Sequence, residues 1–354
     1  MRKLVLSIAI ATGVVLAALS GVFLMKTLLN REAVPAIPPA TQTAVQGIQT
    51  PRESPEDVIA SRLREYSISS EVRGKAISIL KEYAGRSGTV LRGSYKVGAG
   101  SSTRIELTLY RDVIYELTVS VSGNCIGSCD IDLELLDSSF KLAYVYASSS
   151  LQFIKGRYSY LRMNFTLYWL EEEGTYYLRL DNSYSIFTSK YVHVTLRAYY
   201  PSYVIDDDYF KIFAIGHWVS NNIRYVKDPH GFEYIAPPTE TLRVGAGDCD
   251  DFAVLLAVLY RSVGLNSSVG LIDTDGDGRI DHATALVYLS KSSSDVARGL
   301  SKWASVLGIR IKGMAYFNYG KGILLIVDPP MSGSYDSPWS VEYTPYRLVK
   351  VVTP

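Results

Sequence analysis

The sequence predicts an α+β protein with an N-terminal membrane helix, an antiparallel β-sandwich and, after it, a second domain that mixes helices with strands. Three observations carry this expectation. Residues Leu4 to Met25 run without a charge, about the 20 apolar residues that a helix needs to cross a bilayer. From about Gly88 to Tyr200 apolar and polar residues alternate, the period of a half-buried strand. Beyond Asp206 the apolar spacing becomes helical and is then interrupted by short apolar strands.

Residues 1–29 form the predicted anchor. Arg2 and Lys3 crowd one end of the run, whereas Lys26 and Arg31 at the other are partly offset by Glu32. This bias places the N-terminus inside and the remaining domains outside the cytoplasm. A cleaved signal peptide, with secretion of the rest, is the alternative, because small residues near Ser20 offer a cutting site. Residues 30–54 hold Pro35, Pro38, Pro39 and Pro51 among Ala, Thr and Gln, too little apolar surface to fold alone, and read as a linker. Residues 55–87 are a short helical segment: Pro55-Glu56-Asp57 starts a helix with acids at its positive end, and helical spacing follows through Tyr83.

Residues 88–201 are the sandwich. Arg104 to Tyr110, Tyr115 to Val121, Asp130 to Leu136 and Tyr191 to Arg197 each alternate, separated by Gly, Ser, Asn and Asp turns. The 27 tyrosines fit such pleated surfaces. His193 within the last of these strands reads as structural. Residues 202–354 are the second domain. A helix is expected over Asp206 to Asn222, with His217 toward its core face. A second runs from Cys249 to Val263, where Phe252, Leu255, Leu256 and Leu259 share a stripe and Gly264 is the stop. Strands follow at Ala283 to Leu289 and Gly322 to Val327, with a helix near Val296 to Leu307 between them.

Lys and Arg total 36 against 35 for Asp and Glu, so there is no basic field of the kind nucleic-acid binding needs. Of three cysteines, Cys125 and Cys129 read as a small disulfide staple or as two free thiols, since no second Cys/His pair accompanies them to make a zinc site. Cys249 is left over.

Cys249 lies in Asp248-Cys249-Asp250-Asp251, after Gly245 and Gly247 and at the start of the apolar helix. Asp248 can cap that helix, and free backbone N–H groups at its end favour a thiolate. The neighbouring carboxylates oppose this by repulsion, which makes a histidine partner important. A small buried cysteine under a capped helix is the competing reading. His282 opens one predicted strand, and Asp328 closes the next ahead of Pro329-Pro330. Nucleophile, base and orienting group would each sit at the end of a regular element.

That order, together with Pro238-Thr-Glu-Thr-Leu242 and Gly247-Asp-Cys-Asp-Asp-Phe-Ala253, resembles the transglutaminase-like superfamily of papain-related cysteine enzymes, over roughly Asp208 to Pro330. The resemblance implies a papain-like α+β fold. It implies that Cys249 attacks a protein or peptide amide to form a thioester, that His282 shuttles the proton, that Asp328 holds the imidazole, and that water or an amine releases the acyl group. It also implies a second oxyanion donor upstream of the nucleophile, for which Trp218 and Tyr225 are candidates. Two departures stand out. His282-Ala283-Thr284 lacks the Trp that often follows the catalytic histidine, and 46 residues with an inserted helix separate His282 from Asp328. A catalytically silent, calcium-binding interaction or envelope protein on the same fold is therefore the rival reading.

Immediately before His282, Asp273, Asp275, Asp277 and Asp281 occupy positions 1, 3, 5 and 9 of an EF-hand-like loop, with Gly278 at 6 and the Arg279 carbonyl at 7. Calcium is the expected ligand, against a plain acidic turn; the usual Glu at position 12 is replaced by Thr284. No organic cofactor is expected.

Overall fold

The structure, a computed structural model, describes residues 54–229, 234–332, 338–340 and 347–354. The predicted anchor and nearly all of the linker lie outside them, as does His230, which the sequence places in the loop Asp228-Pro-His-Gly231 with no chemistry assigned to it. Among the described residues no helix is long and apolar enough to cross a membrane.

Ser54 and Pro55 open the first helix as the sequence suggests: the Ser54 hydroxyl accepts a hydrogen bond from the Asp57 N–H at 3.2 Å, and proline, which has no N–H to lose, starts α1 (Pro55–Tyr66). Helix α2 (Ser70–Ala84) follows. Their apolar faces, including Ile59, Leu63, Val72, Ala76 and Ile79, are fully buried.

The period-two region folds into ten strands: β1 (Ser87–Val97), β2 (Ser102–Leu109), β3 (Ile114–Ser122), β4 (Ile131–Leu136), β5 (Tyr144–Ala147), β6 (Ser150–Phe153), β7 (Lys155–Tyr158), β8 (Tyr160–Leu167), β9 (Gly174–Asp181) and β10 (Lys190–Tyr199). They form two antiparallel sheets, in the orders β1-β10-β3-β8-β5-β6 and β2-β9-β4-β7. The alternation is literal in β10, where Val192, Val194, Leu196 and Ala198 face the core and the residues between them do not. His193 lies on the outer face, 3.2 Å from the Ser122 hydroxyl. Cys125 and Cys129 are joined as a disulfide in the loop after β3.

The second domain begins with α3 (Asp208–Asn222), capped by the Asp207 carboxylate on the Phe210 N–H at 3.0 Å. The short strand β11 (Arg224–Tyr225), helix α4 (Pro238–Val244), strand β12 (Ala246–Gly247) and helix α5 (Cys249–Ser262) lead into β13 (Ser267–Asp273) and β14 (His282–Leu289). Helix α6 (Ser293–Val306), β15 (Tyr316–Tyr319), β16 (Gly322–Val327) and β17 (Arg347–Val352) complete it. The main sheet is antiparallel, in the order β15-β16-β14-β13-β17.

Helix α5 explains why these parts stay together. Among its 14 residues only Cys249 and Arg261 are not buried, and a helix apolar on every side needs cover on every side. The sheet covers one face through β13 and β14; α1, α2, α3 and α4 cover the others. The segment 55–87 therefore belongs to the core of the second domain. Tyr83 on α2 bonds His217 Nδ1 on α3 at 2.6 Å and packs edge-on against Phe213, so His217 is a core histidine.

The inserted helix α6 packs against α3 and against the sandwich strands β1 and β10. The Tyr200 hydroxyl donates to the Trp303 carbonyl at 2.9 Å, and Lys302 pairs with Asp112 at 2.8 Å. A Cβ at Gly88 would collide with the Val306 carbonyl, which explains the glycine where the two elements touch. The insertion thus joins the two domains, and residues 53–354 form one compact unit.

Candidate functional site

The register of the sheet brings His282 and Asp328 together. Ala285 on β14 pairs with Val327 on β16, so the next step of the ladder sets Thr284 opposite Asp328. His282, two residues from Thr284, lies on the same face of the sheet, diagonal to Asp328. His282 Nε2 and Asp328 Oδ2 are 2.6 Å apart, and the two residues are 8% and 2% exposed.

Helix α5 packs on β14, and Cys249 at its start lies close enough to the imidazole to act on its protonation. Burial works against a charged His282, but the hydrogen bond to Asp328, the neighbouring Cys249 and the charges of both outweigh it, raising its pKa to about 10. The ring is therefore an imidazolium at neutral pH. Cys249, partly exposed, is the first residue of α5, where its backbone N–H has no partner within the helix.

The turn before α5 is built around Asp251. Its carboxylate accepts from the Ala236 N–H at 2.7 Å and the Asp248 N–H at 3.3 Å. Burial and the charge of Asp248 push the Asp251 pKa up to about 6 against those two donors. Gly247 permits this arrangement, because a Cβ there would lie 2.6 Å from the Asp251 side chain. Gly245 makes the preceding left-handed turn at φ 68° and closes α4 through its N–H to the Thr241 carbonyl at 2.9 Å.

The two oxyanion candidates separate. Tyr225 pairs with Gly247 across the β11–β12 ladder, which sets it beside the nucleophile. Its phenol is held protonated by partial burial and then by the negative groups beside it, Cys249 and Asp248 first. Trp218 instead belongs to the helical layer: it is 8% exposed, with the Lys75 ammonium 4.1 Å from its ring centroid.

The acidic loop joins β13 to β14, with Ile272 paired to His282, so it directly precedes the imidazole. Carboxylate oxygens of Asp273, Asp275 and Asp277 come within 4.8 Å of one another, a donor set that suits a hard cation. Asp273 also accepts from the Gly276 and Gly278 N–H groups at 2.6 and 2.9 Å. Asp281, expected to join them, is turned to Thr274, accepting from its N–H at 2.9 Å and its hydroxyl at 2.5 Å. The Arg279 N–H donates to Asp277 at 2.7 Å. The fit is thus to three carboxylates of the expected four.

One feature was not legible from residue order. Asp248 and Asp250 count in the sequence as two charges repelling the thiol, yet in the structure their carboxylates lie within 4.8 Å of each other. Only the winding of the first turn of α5 makes that visible.

Residues 197–303 match the family model Transglut_core, the transglutaminase-like superfamily. Among curated proteins, none matches this sequence. Three solved structures show low similarity. An arabinose-bound α-L-arabinofuranosidase (MgGH51) is 8% identical with a TM-score of 0.23, over 41% of this chain and 25% of its own. A candidate cysteine protease from Cytophaga hutchinsonii is 13% identical with a TM-score of 0.19, over 56% and 74%. A candidate protease from Parabacteroides distasonis ATCC 8503 is 12% identical with a TM-score of 0.21, over 55% and 62%. The chain thus spans about a quarter of the arabinofuranosidase and less than two thirds of the Parabacteroides protein. At such TM-scores these likenesses carry no argument.

Proposed function

We propose that the chain, through a region that matches the transglutaminase-like superfamily, is a cysteine enzyme acting on protein or peptide amides by way of a thioester. The observation that supports this most is the buried His282–Asp328 pair at 2.6 Å, with Cys249 near enough to act on the same imidazole. The thiolate of Cys249 attacks the amide carbonyl carbon, forming the C–S bond, and His282 protonates the amide nitrogen as the C–N bond breaks. His282, now neutral, takes a proton from water or an amine as it attacks the thioester, and the C–S bond breaks. Asp328 holds the ring through both steps. The N–H of Cys249 and the Tyr225 hydroxyl are the donors proposed for the oxyanion.

The test is to trap the acyl-enzyme. Incubation with peptide thioesters or amides, followed by mass spectrometry, is expected to show the acyl group on Cys249, released by hydroxylamine. Water alone or an added primary amine then distinguishes hydrolysis from transfer. Failure to acylate with any substrate, with slow, pH-insensitive thiol labelling, would favour the silent calcium-binding interaction or envelope protein; the negative groups around Cys249 are the feature that favours that second reading.

Anchorage through residues 1–29, with the folded domains outside the cytoplasm, remains part of the proposal on the strength of the apolar run. So does calcium, held by Asp273, Asp275 and Asp277, with the Arg279 carbonyl and Asp281 completing the set if Asp281 leaves Thr274. A cation there would order the loop that leads into His282. Chelation is then expected to lower both the melting temperature and the acylation rate, and calcium alone to restore them. An unchanged melting temperature on adding calcium to chelated protein would show the loop to be a plain acidic turn.

A further inference from the structure

We propose that Asp250 and Asp248 share a single proton, Asp250 standing as a neutral carboxylic acid that donates to Asp248, and that this bridge positions Cys249 between them. The effect on the thiol rests on the reading of Cys249 as a nucleophile; the shared proton itself does not.

Carboxylate oxygens of Asp248, Asp250 and Asp251 all lie within 4.8 Å of one another. Asp251 is supplied with donors, the N–H groups of Ala236 and Asp248. Asp248 accepts from the Asp251 N–H as the helix cap, but Oδ1 of Asp248 and Oδ1 of Asp250, a residue only 6% exposed, are both buried without a donor. Two buried carboxylates this close cannot both ionise without a large repulsive cost, and one proton between them removes a charge while converting an acceptor into the missing donor. A metal ion is a poorer occupant. With Asp251 committed to the backbone, the pair offers two carboxylates where a hard cation seeks about six to eight oxygens.

The surroundings act in the same direction. On the same helix turn stand Asp248, Cys249 and Asp251; β11 contributes Tyr225 and the residues after it Asp228; β14 contributes His282 and the end of β16 Asp328. His282 is the only cation among these groups. Burial first, then the hydrogen bond and charge of Asp248 and the charges of Asp251 and Cys249, hold Asp250 far above the usual carboxylate range. The bridge spans the residue between its partners, so it clamps the Cys249 backbone and keeps one negative charge off the thiolate.

Infrared spectroscopy of the full chain at pH 8 reads the proton directly. A protonated-carboxyl C=O band that shifts in D2O is expected in the wild type, absent from D250N and from D248N, and retained in D251N. Iodoacetamide alkylation reads the positioning. D250A is expected to slow it by roughly ten- to a hundredfold, the loss that a displacement of about 1 Å produces. D250N, whose amide can still donate to Asp248, should restore most of that loss. Circular dichroism establishes that each variant is folded. Absence of the band in the wild type, or its survival in both D250N and D248N, overturns the shared proton. Calcium or manganese raising the melting temperature of the wild type but not of D250N would put a cation in its place. A folded D250N as slow as D250A overturns the positioning role alone. A band that behaves as expected in a protein that never acylates would keep the proton and reject the enzyme.

Discussion

Cys249→Ala is expected to abolish acyl-enzyme formation and to lower amide turnover by roughly 10⁴-fold or more, the scale seen when a nucleophile is removed from a unit whose members act together. The fold should tolerate it, because Cys249 is partly exposed at the first position of α5 and alanine is a good helix former. His282→Ala should cost a comparable factor and not add to the first, since each breaks the same proton path. Measured as acylation rates with circular dichroism as control, additive losses in the double variant would show that the two residues do not work as one unit. Retained turnover in Cys249→Ala would move the chemistry elsewhere.

Asp328→Ala should have the second largest effect, on stability as well as rate. It leaves a buried imidazolium without its carboxylate, a change that typically costs about 3–5 kcal/mol. Asp328→Asn keeps the shape but removes the charge, and should reduce acylation by roughly 10²–10⁴-fold. The pH dependence follows from His282. Its pKa is raised from 6.5 to about 10 in the folded chain, so between those values the native state holds a proton that the unfolded state has released. Stability from this group is fully present below pH 6.5 and is lost as pH rises toward 10, with a slope on the order of 1 kcal/mol per pH unit. Asp250, whose pKa is also raised, contributes with the same sign. Denaturant unfolding between pH 6.5 and 10 should therefore show falling stability in the wild type and a shallower slope in Asp328→Asn. Equal slopes would mean that the pair does not hold the proton.

Strand and helix identities were legible because they are local. The alternation in β10 and the apolar stripe of α5 appear in the residue order itself, and the predicted ends of α5, β14 and β16 lie within a residue or so of those observed. Cys249, His282 and Asp328 could be nominated for the same reason, since each lies at a boundary where the periodicity stops.

Residue order determined the two-part α+β character, the identity of the odd cysteine and the acidic loop beside His282, because period, cap and turn chemistry act over a few neighbouring residues. Tertiary structure decided what depends on distant packing. It put α1 and α2 into the core around α5 and made the inserted helix α6 the joint with the sandwich. It set Tyr225 beside Cys249 and Trp218 among the helices, and turned Asp281 toward Thr274. It also brought the carboxylates of Asp248 and Asp250 within 4.8 Å of each other, where burial raises the cost of a second charge, the reason for the proposed proton between them.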